Sequence, residues 1–212
     1  NTNIEEFVKF LESAKAAMTA LERAVEDIRE GYIDVLVTAP INKRAMDKEG
    51  FGYTLGDEAK RKLLAFWNLE TFFATYADID NVKVDLSKID MSKLCDIDRW
   101  LVIRTNGFIK DATKFMDDYS TRDVVVAFEA FVNDISNFYI RVNRARFWST
   151  DNGEDKQNAY AVLFYAIKSI TGIMAPMVPF IAETTWQKFI KRYSDEQAVS
   201  VFLTDWPTVR AD

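Results

Sequence analysis

Three arginines fall within six residues in the stretch SNFYIRVNRARFW (136–148): Arg141, Arg144 and Arg146. Asn137 precedes them, Phe147 and Trp148 follow directly, and the stretch holds no acid. A guanidinium offers a planar fork to phosphates and base edges, and it stacks on rings. An indole offers a face to an unstacked base. Single-stranded RNA loops are read by this combination of stacking with Arg or Asn hydrogen bonding. The chain of 212 residues is acidic, with net charge −6. Residues 136–192 nevertheless carry eight Lys and Arg against four Asp and Glu, and they form its only basic block. A local basic block on an acidic protein is the footprint expected for a polyanion. Two structural explanations compete. The cations could be bridged to acids of neighbouring helices, and a helix C-terminus favours a cation without any ligand.

Other chemistry is scarce. The chain has no histidine and one cysteine. That removes histidine acid–base catalysis, the usual zinc sites and any intrachain disulfide, and it sets a reduced, cytoplasmic location as the expectation. Cys95 lies in a polar stretch without an activating base. Asp117, Asp118 and Asp123 flank a helix junction, where solvation and capping account for them without a metal. TAPINK (38–43) has neither a glycine series nor a Lys-Ser/Thr pair, which excludes a P-loop. No catalytic and no metal-ligating residue is assigned. The N-terminus NTNIEEFVKF has no signal-peptide pattern, and no apolar run reaches 18 residues, so no membrane span is expected. The first residue is Asn rather than Met, as in a fragment or a processed chain.

The elements follow from periodicity. Ile4, Phe7, Leu11, Met18, Leu21, Val25 and Ile28 predict a helix over 4–30, ended by Gly31. YIDVLV (32–37) predicts a buried strand, TAPINK a turn, and the glycine-rich GFGYTLG (50–56) a boundary. A second, aromatic-rich helix is expected over 57–77. The aspartate-rich segment 78–98 shows no sustained period and predicts a linker. Asp96 or Asp98 then caps a helix over about 97–118. A helix over about 121–148 follows, with Val124, Phe128, Phe131, Ile135, Phe138, Val142 and Ala145 as its buried stripe. Another runs from Glu154 to about Met174, stopped by APMVPF (175–180). A last helix covers about 180–193, and AVSVFL (198–203) predicts a short strand. The fold class expected is mostly α, a helical bundle with a short N-terminal helix–strand segment. Asn137, Arg141, Arg144 and Trp148, spaced four, three and four, share one face off the buried stripe.

Several stretches together resemble the anticodon-binding domain of the bacterial isoleucyl-tRNA synthetases, class I ligases. They are FVNDISNFYIRVNRARFW (131–148), IDRWLV (97–102), DKQNAYAVLFYAIKSITGIMAPMVPFIAETTWQ (155–187), SVFLTDWP (200–207) and LLAFWNLETFFATYADID (63–80). They stand in the family's order and cover about residues 57–207. Phe202 departs from the pattern, standing where the family has histidine. The Asn-x-Tyr-Ile-Arg … Arg-Phe-Trp string favours the isoleucine enzymes over the valine and leucine ones. The resemblance implies a bundle that grips the anticodon stem-loop of tRNA(Ile), with Asn137, Arg141, Arg144, Arg146 and Trp148 as the RNA-binding positions. It implies structural roles for Asp98, Arg99 and Trp100, the acid as a cap and the indole in the core.

Residues 1–54 are different. RAVEDIREGYIDVLVTAPINKRAMDKEGFGYT (23–54) resembles a segment of the 4-hydroxythreonine-4-phosphate dehydrogenases (PdxA), but that family's metal-binding Gly-His-Thr-Glu is replaced by LGDE (55–58). A junction between unrelated fragments is expected near Thr54–Leu55, giving domains 1–54 and 55–212. DMSKL (90–94) is similar to the synthetases' ATP-holding Lys-Met-Ser-Lys-Ser loop only in its centre, and it follows the first bundle helix instead of preceding it. The His-Ile-Gly-His signature is absent. A ligase fragment without catalytic or editing domain is therefore expected, with no cofactor of its own, although a full-length ligase would use ATP and Mg. A monomer is expected, with residues 1–54 as a possible site of association. The rival expectations are an inert fusion that binds no RNA, its arginines tied to its own acids, and a remnant of a PdxA-like dehydrogenase.

Overall fold

A computed structural model describes residues 53–210, together with Arg23, Glu26 and Glu30 as isolated positions. The expected strand over 32–37 and turn over 38–43 lie outside the described residues, as does the helix over 4–30 apart from Arg23 and Glu26, which are helical. Within 53–210 the chain is helical and holds no strand. Helix α1 (Tyr53–Ile79) runs unbroken through the expected junction at Thr54–Leu55. The chain divides into two compact units after Leu63. In the first unit, Glu58 and Lys62 pair one turn apart at 3.1 Å.

In the second unit, α1 buries Phe66, Leu69, Phe73 and Ala77, whose spacing of three and four puts them on one stripe. Helices α2 (Asp96–Asp117), α3 (Thr121–Asp134) and α4 (Arg141–Trp148) follow. Then comes α5 (Glu154–Met174), which is buried on nearly every side, including all of Val162–Ile167. A helix apolar all round must sit at the centre of a bundle. After a break, α6 (Pro179–Thr185) starts on a proline, whose missing N–H costs nothing in a first turn. It continues through a wider π turn (Trp186–Ile190) into the short α7 (Lys191–Tyr193). Phe73 is the hub of the core. The rings of Tyr160, Phe164, Phe189 and Tyr193 stand around it with centroids 5.1–6.0 Å away, mostly edge to face.

Four expectations need correction. The first concerns the helix over 121–148, which is not a single α-helix. A π turn (Ile135–Ile140) joins α3 to α4. Such a turn inserts one residue into the helical register. The buried stripe runs through Val124, Phe128, Phe131 and Ile135 as expected, then continues on Tyr139 and Asn143, each one residue later than expected, and on Phe147, two residues past the expected Ala145. Phe138 (45% exposed) and Val142 (58%) are turned outward, and Ala145 with them.

Second, no aspartate side chain caps α2. Cys95 is the capping residue, Asp96 is exposed in the first turn, and Asp98 points into the core. Trp100 is half-buried at the surface, not in the core. Third, residues 80–95 are more than a linker. Val82, Val84, Ile89 and Leu94 are buried, and Val84 N–H donates to Tyr193 O at 2.7 Å, so the segment straps across α7. Its aspartates fold it locally, Asp85 and Asp90 accepting from Ser87 and Ser92. Fourth, residues 198–203 form no strand but a 3₁₀ turn (Val201–Leu203). No strand lies beside it among the described residues, and Glu183 takes its donors instead, from Ser200 Oγ at 2.8 Å and Val201 N at 3.2 Å. Beyond this turn Pro207 packs against Gly172 of α5, where a Cβ would meet the proline ring at 2.7 Å.

Two buried acids hold helices together. Asp98 accepts both arms of the Arg146 guanidinium, at 3.0 and 2.9 Å, and the Tyr139 hydroxyl at 2.6 Å. Arg146 also donates to Asn143 Oδ1 at 2.7 Å and to the carboxylate and backbone carbonyl of Asp155. One guanidinium thus fastens α2, α4 and α5 at a single point. Burial pulls its pKa down, but the Asp98 and Asp155 carboxylates more than offset this and hold it above the usual arginine value. Glu70 of α1, 6% exposed, accepts from Thr185 Oγ1 of α6 at 2.8 Å. Burial outweighs this bond and pushes its carboxyl up to about 7.

Asp98→Ala is expected to cost about 3–5 kcal/mol in urea unfolding, since it breaks a buried ion pair, leaves Arg146 with Asp155 as its one remaining carboxylate and removes the charged acceptor of the buried Tyr139 hydroxyl. Tyr139→Phe is expected to cost about 2 kcal/mol, the worth of a hydrogen bond to a charged group. Equal, small losses in both would contradict this account of the buried pair. For Glu70 the folded pKa lies above the unfolded one. The folded state keeps a proton that the unfolded state releases, so stability falls as pH rises from about 4.5 to 7. Glu70→Gln is expected to remove that fall, with a gain near pH 8 of up to about 3 kcal/mol. An unchanged pH slope in the variant would contradict it.

Candidate nucleic-acid interface

The one-residue shift at the π turn decides what α4 shows to the outside. With the core direction set by Tyr139, Asn143 and Phe147, a helix turning about 100° per residue places Arg141 and Ala145 opposite the core. Asn137, Arg141, Arg144 and Trp148 are all exposed. Arg141 makes no ion pair or hydrogen bond among the described residues. Arg144 lies over the Trp148 ring, its Cζ 5.6 Å from the centroid. Trp148 is 57% exposed, and its indole N–H donates to the Tyr76 hydroxyl of α1. Asn137 donates to Asn133 one turn earlier. The structure therefore brings four of the five candidate residues to the exposed side of a stretch without Asp or Glu. Arg146 is the exception. It stands beside the buried stripe, and its donors are taken by Asp98, Asn143 and Asp155.

Residues that the sequence did not single out hold this surface in place. Phe147 anchors α4 by meeting Phe72 of α1 and Tyr160 of α5 edge to face, at 5.2 and 5.1 Å. Lys156, almost fully buried on α5, donates to Ser149 O at 2.7 Å and pairs with Asp80. That fixes the chain just after Trp148. Asp80 also accepts from the Tyr160 hydroxyl at 2.6 Å. Burial first, and then this carboxylate, raise the Tyr160 pKa. Tyr76 was legible only as part of an aromatic-rich helix, since nothing in its own neighbourhood of sequence points to Trp148.

Other clusters offer less chemistry. Donor atoms of Cys95, Asp98 and Asp155 lie within 4.8 Å of one another, but the Arg146 guanidinium already bridges the two carboxylates. Burial pushes the Cys95 thiol up, the Asp98 backbone N–H works against this and the Asp98 carboxylate with it, and the net shift is upward, so the thiol is not activated. A cleft of about 490 Å³ lies between α5 and the C-terminal segment, where Lys168 pairs with Glu196 at 2.6 Å. None of its lining residues belongs to α4. No helix among the described residues is long and apolar enough to cross a membrane.

Comparison with known proteins finds two families and a set of tRNA ligases. Residues 98–212 match the family described as the anticodon-binding domain of tRNA ligase. Residues 9–79 match the family of the pyridoxal phosphate biosynthetic protein PdxA. The chain is 37% identical over 152 residues to the isoleucine–tRNA ligase of Clostridium tetani, which is 71% of this chain and 15% of that protein. It is 36% identical over 160 residues to that of Thermus thermophilus, 74% of this chain and 15% of the relative. With the Treponema denticola ligase it shares 31% over 196 residues, 86% of this chain and 18% of the relative. It thus spans about 15% of the length of the curated relatives it matches. With more than half its length matched and a helical bundle to carry the match, the chain belongs to the family of anticodon-binding domains of tRNA ligases.

Proposed function

We propose that the bundle beyond α1's first turns binds the anticodon stem-loop of isoleucine tRNA, as the tRNA-recognising part of an isoleucine–tRNA ligase. The observation that carries this is the outer face of α4. It presents Arg141 without an acid partner among the described residues and Arg144 over an exposed indole, on a chain whose net charge is −6. An exposed arginine without a partner on an acidic protein is available to a phosphate, and a ring backed by a guanidinium is available to a base. Arg146 serves differently, by fixing the angle at which α4 meets α2 and α5. The isoleucine–tRNA ligases to which the chain is similar support the choice of tRNA. The reading carries with it a cytoplasmic, monomeric domain without a cofactor or catalytic group of its own. For the N-terminal part we propose a PdxA-like ancestry, supported by a family match over residues 9–79 that extends through α1.

The test is binding of isoleucine tRNA across a salt series. Arg141→Ala and Arg144→Ala are each expected to weaken binding about tenfold, the worth of a charge-assisted hydrogen bond. Each should also lower the slope of log K against log salt by about 0.7, one phosphate contact on a single strand. Both should leave the urea midpoint unchanged, whereas Arg146→Lys is expected to lower it. Wild-type affinity and an unaltered salt slope in the Arg141→Ala, Arg144→Ala double variant would overturn the assignment of this face.

A further inference from the structure

We propose a second base-stacking platform on the RNA-reading surface, formed by Trp100 of α2 and Phe138 of the π turn. The proposal rests on the reading that this surface binds an RNA loop, and adds where a second unstacked base is held. An unbroken α-helix would bury Phe138 with Phe131 and Ile135, but the π turn turns it outward. Its ring meets Trp100 edge to face, 4.7 Å between centroids. The pair stands at the surface, with Phe138 45% exposed and Trp100 half-buried.

The indole N–H of Trp100 makes no hydrogen bond among the described residues, while Trp148, Trp186 and Trp206 each donate theirs. An unused indole donor beside a part-exposed aromatic ring offers a base both stacking and a hydrogen bond. Charge points to RNA as the occupant. Arg141 stands three residues from Phe138 without an acid partner among the described residues, and residues 135–150 contain no Asp or Glu. A polyanion is complementary to such a face.

The spacing suits a short single strand. Ten residues separate Phe138 in the π turn from Trp148 at the end of α4, up to about 15 Å along the axis. Stacked nucleotides advance about 3.4 Å each, so the platforms stand roughly four stacked nucleotides apart, and fewer if the strand is extended. A strand crossing the outer face of α4 meets Phe138 and Trp100, then Arg141, then Arg144 and Trp148. The backbone-tracking cations thus lie between two aromatic platforms, as in sequence-tolerant single-strand binders.

The experiment uses the full chain and the anticodon stem-loop RNA of isoleucine tRNA, intact and with one abasic position at a time through the loop. Affinities are measured for the unaltered chain, Trp100→Leu, Phe138→Leu and Trp148→Leu, with thermal melting of each. Trp100→Leu and Phe138→Leu are each expected to weaken binding roughly fivefold to hundredfold, with the salt slope unchanged because no charge is lost. Both should erase the penalty of the same abasic position, one different from the position coupled to Trp148. Phe138→Leu alters an exposed ring and keeps the fold, so it carries the test if Trp100→Leu melts early. Wild-type binding by Phe138→Leu, while Trp148→Leu and Arg141→Ala bind weakly, would overturn the second platform and leave the anticodon reading standing. In that case the patch faces another protein surface. No binding of the stem-loop by the unaltered chain would overturn both.

Discussion

The carboxylate of Asp98 sits fully buried, where an ionised acid is stable only if a cation and hydrogen bonds meet it. The arrangement of α2, α4 and α5 answers that constraint. Arg146 supplies the cation and a two-pronged contact, and Tyr139 supplies the hydroxyl. Tyr139 must therefore face inward, and the extra residue of the π turn lets it do so while Phe131 and Ile135 stay in the core. The same shift carries Asn143 inside, where it bonds Tyr139 O and Arg146, and carries Phe138 and Val142 outside. The face α4 offers to a ligand thus follows from how one acid is neutralised in the core.

This division of labour settles the competition set up by the three arginines. The structural explanation is right for Arg146, which is tied to acids on two helices. It fails for Arg141 and Arg144, which no acid holds among the described residues. A single run of sequence thus carries one cation tied into the core and two that no acid holds among the described residues. Several acids elsewhere among the described residues are paired as well. Asp78, Asp80, Asp134 and Glu196 pair with Arg192, Lys156, Arg104 and Lys168.

Much of this was legible in sequence, for physical reasons that differ by element. Helical periodicity gave α2, α5 and the α6–α7 segment to within a residue or so, because long amphipathic or wholly apolar runs admit no other packing. The four exposed candidates were legible because their spacing depends only on the helix. What was hidden depended on distant partners. Nothing near Arg146 in sequence shows that Asp98, some fifty positions earlier, will take it. The π turn leaves no local mark, so Phe138 and Val142 read as core. Residues 198–203 read as a strand because β-branched and apolar residues alternate there, yet a strand needs a neighbour, and Glu183 took the backbone donors instead. Segment 78–98 read as a linker because its aspartates mask four buried apolar residues.

The central claim is that the outer face of α4 distinguishes an anticodon loop from other RNA. The most direct measurement compares the affinity of the chain for isoleucine tRNA with that for the same transcript carrying an altered anticodon loop, at low and at moderate salt. The account predicts tighter binding to the unaltered loop, with a preference that persists as salt screens the phosphate contacts. Equal, weak binding to both transcripts, lost together as salt rises, would contradict it.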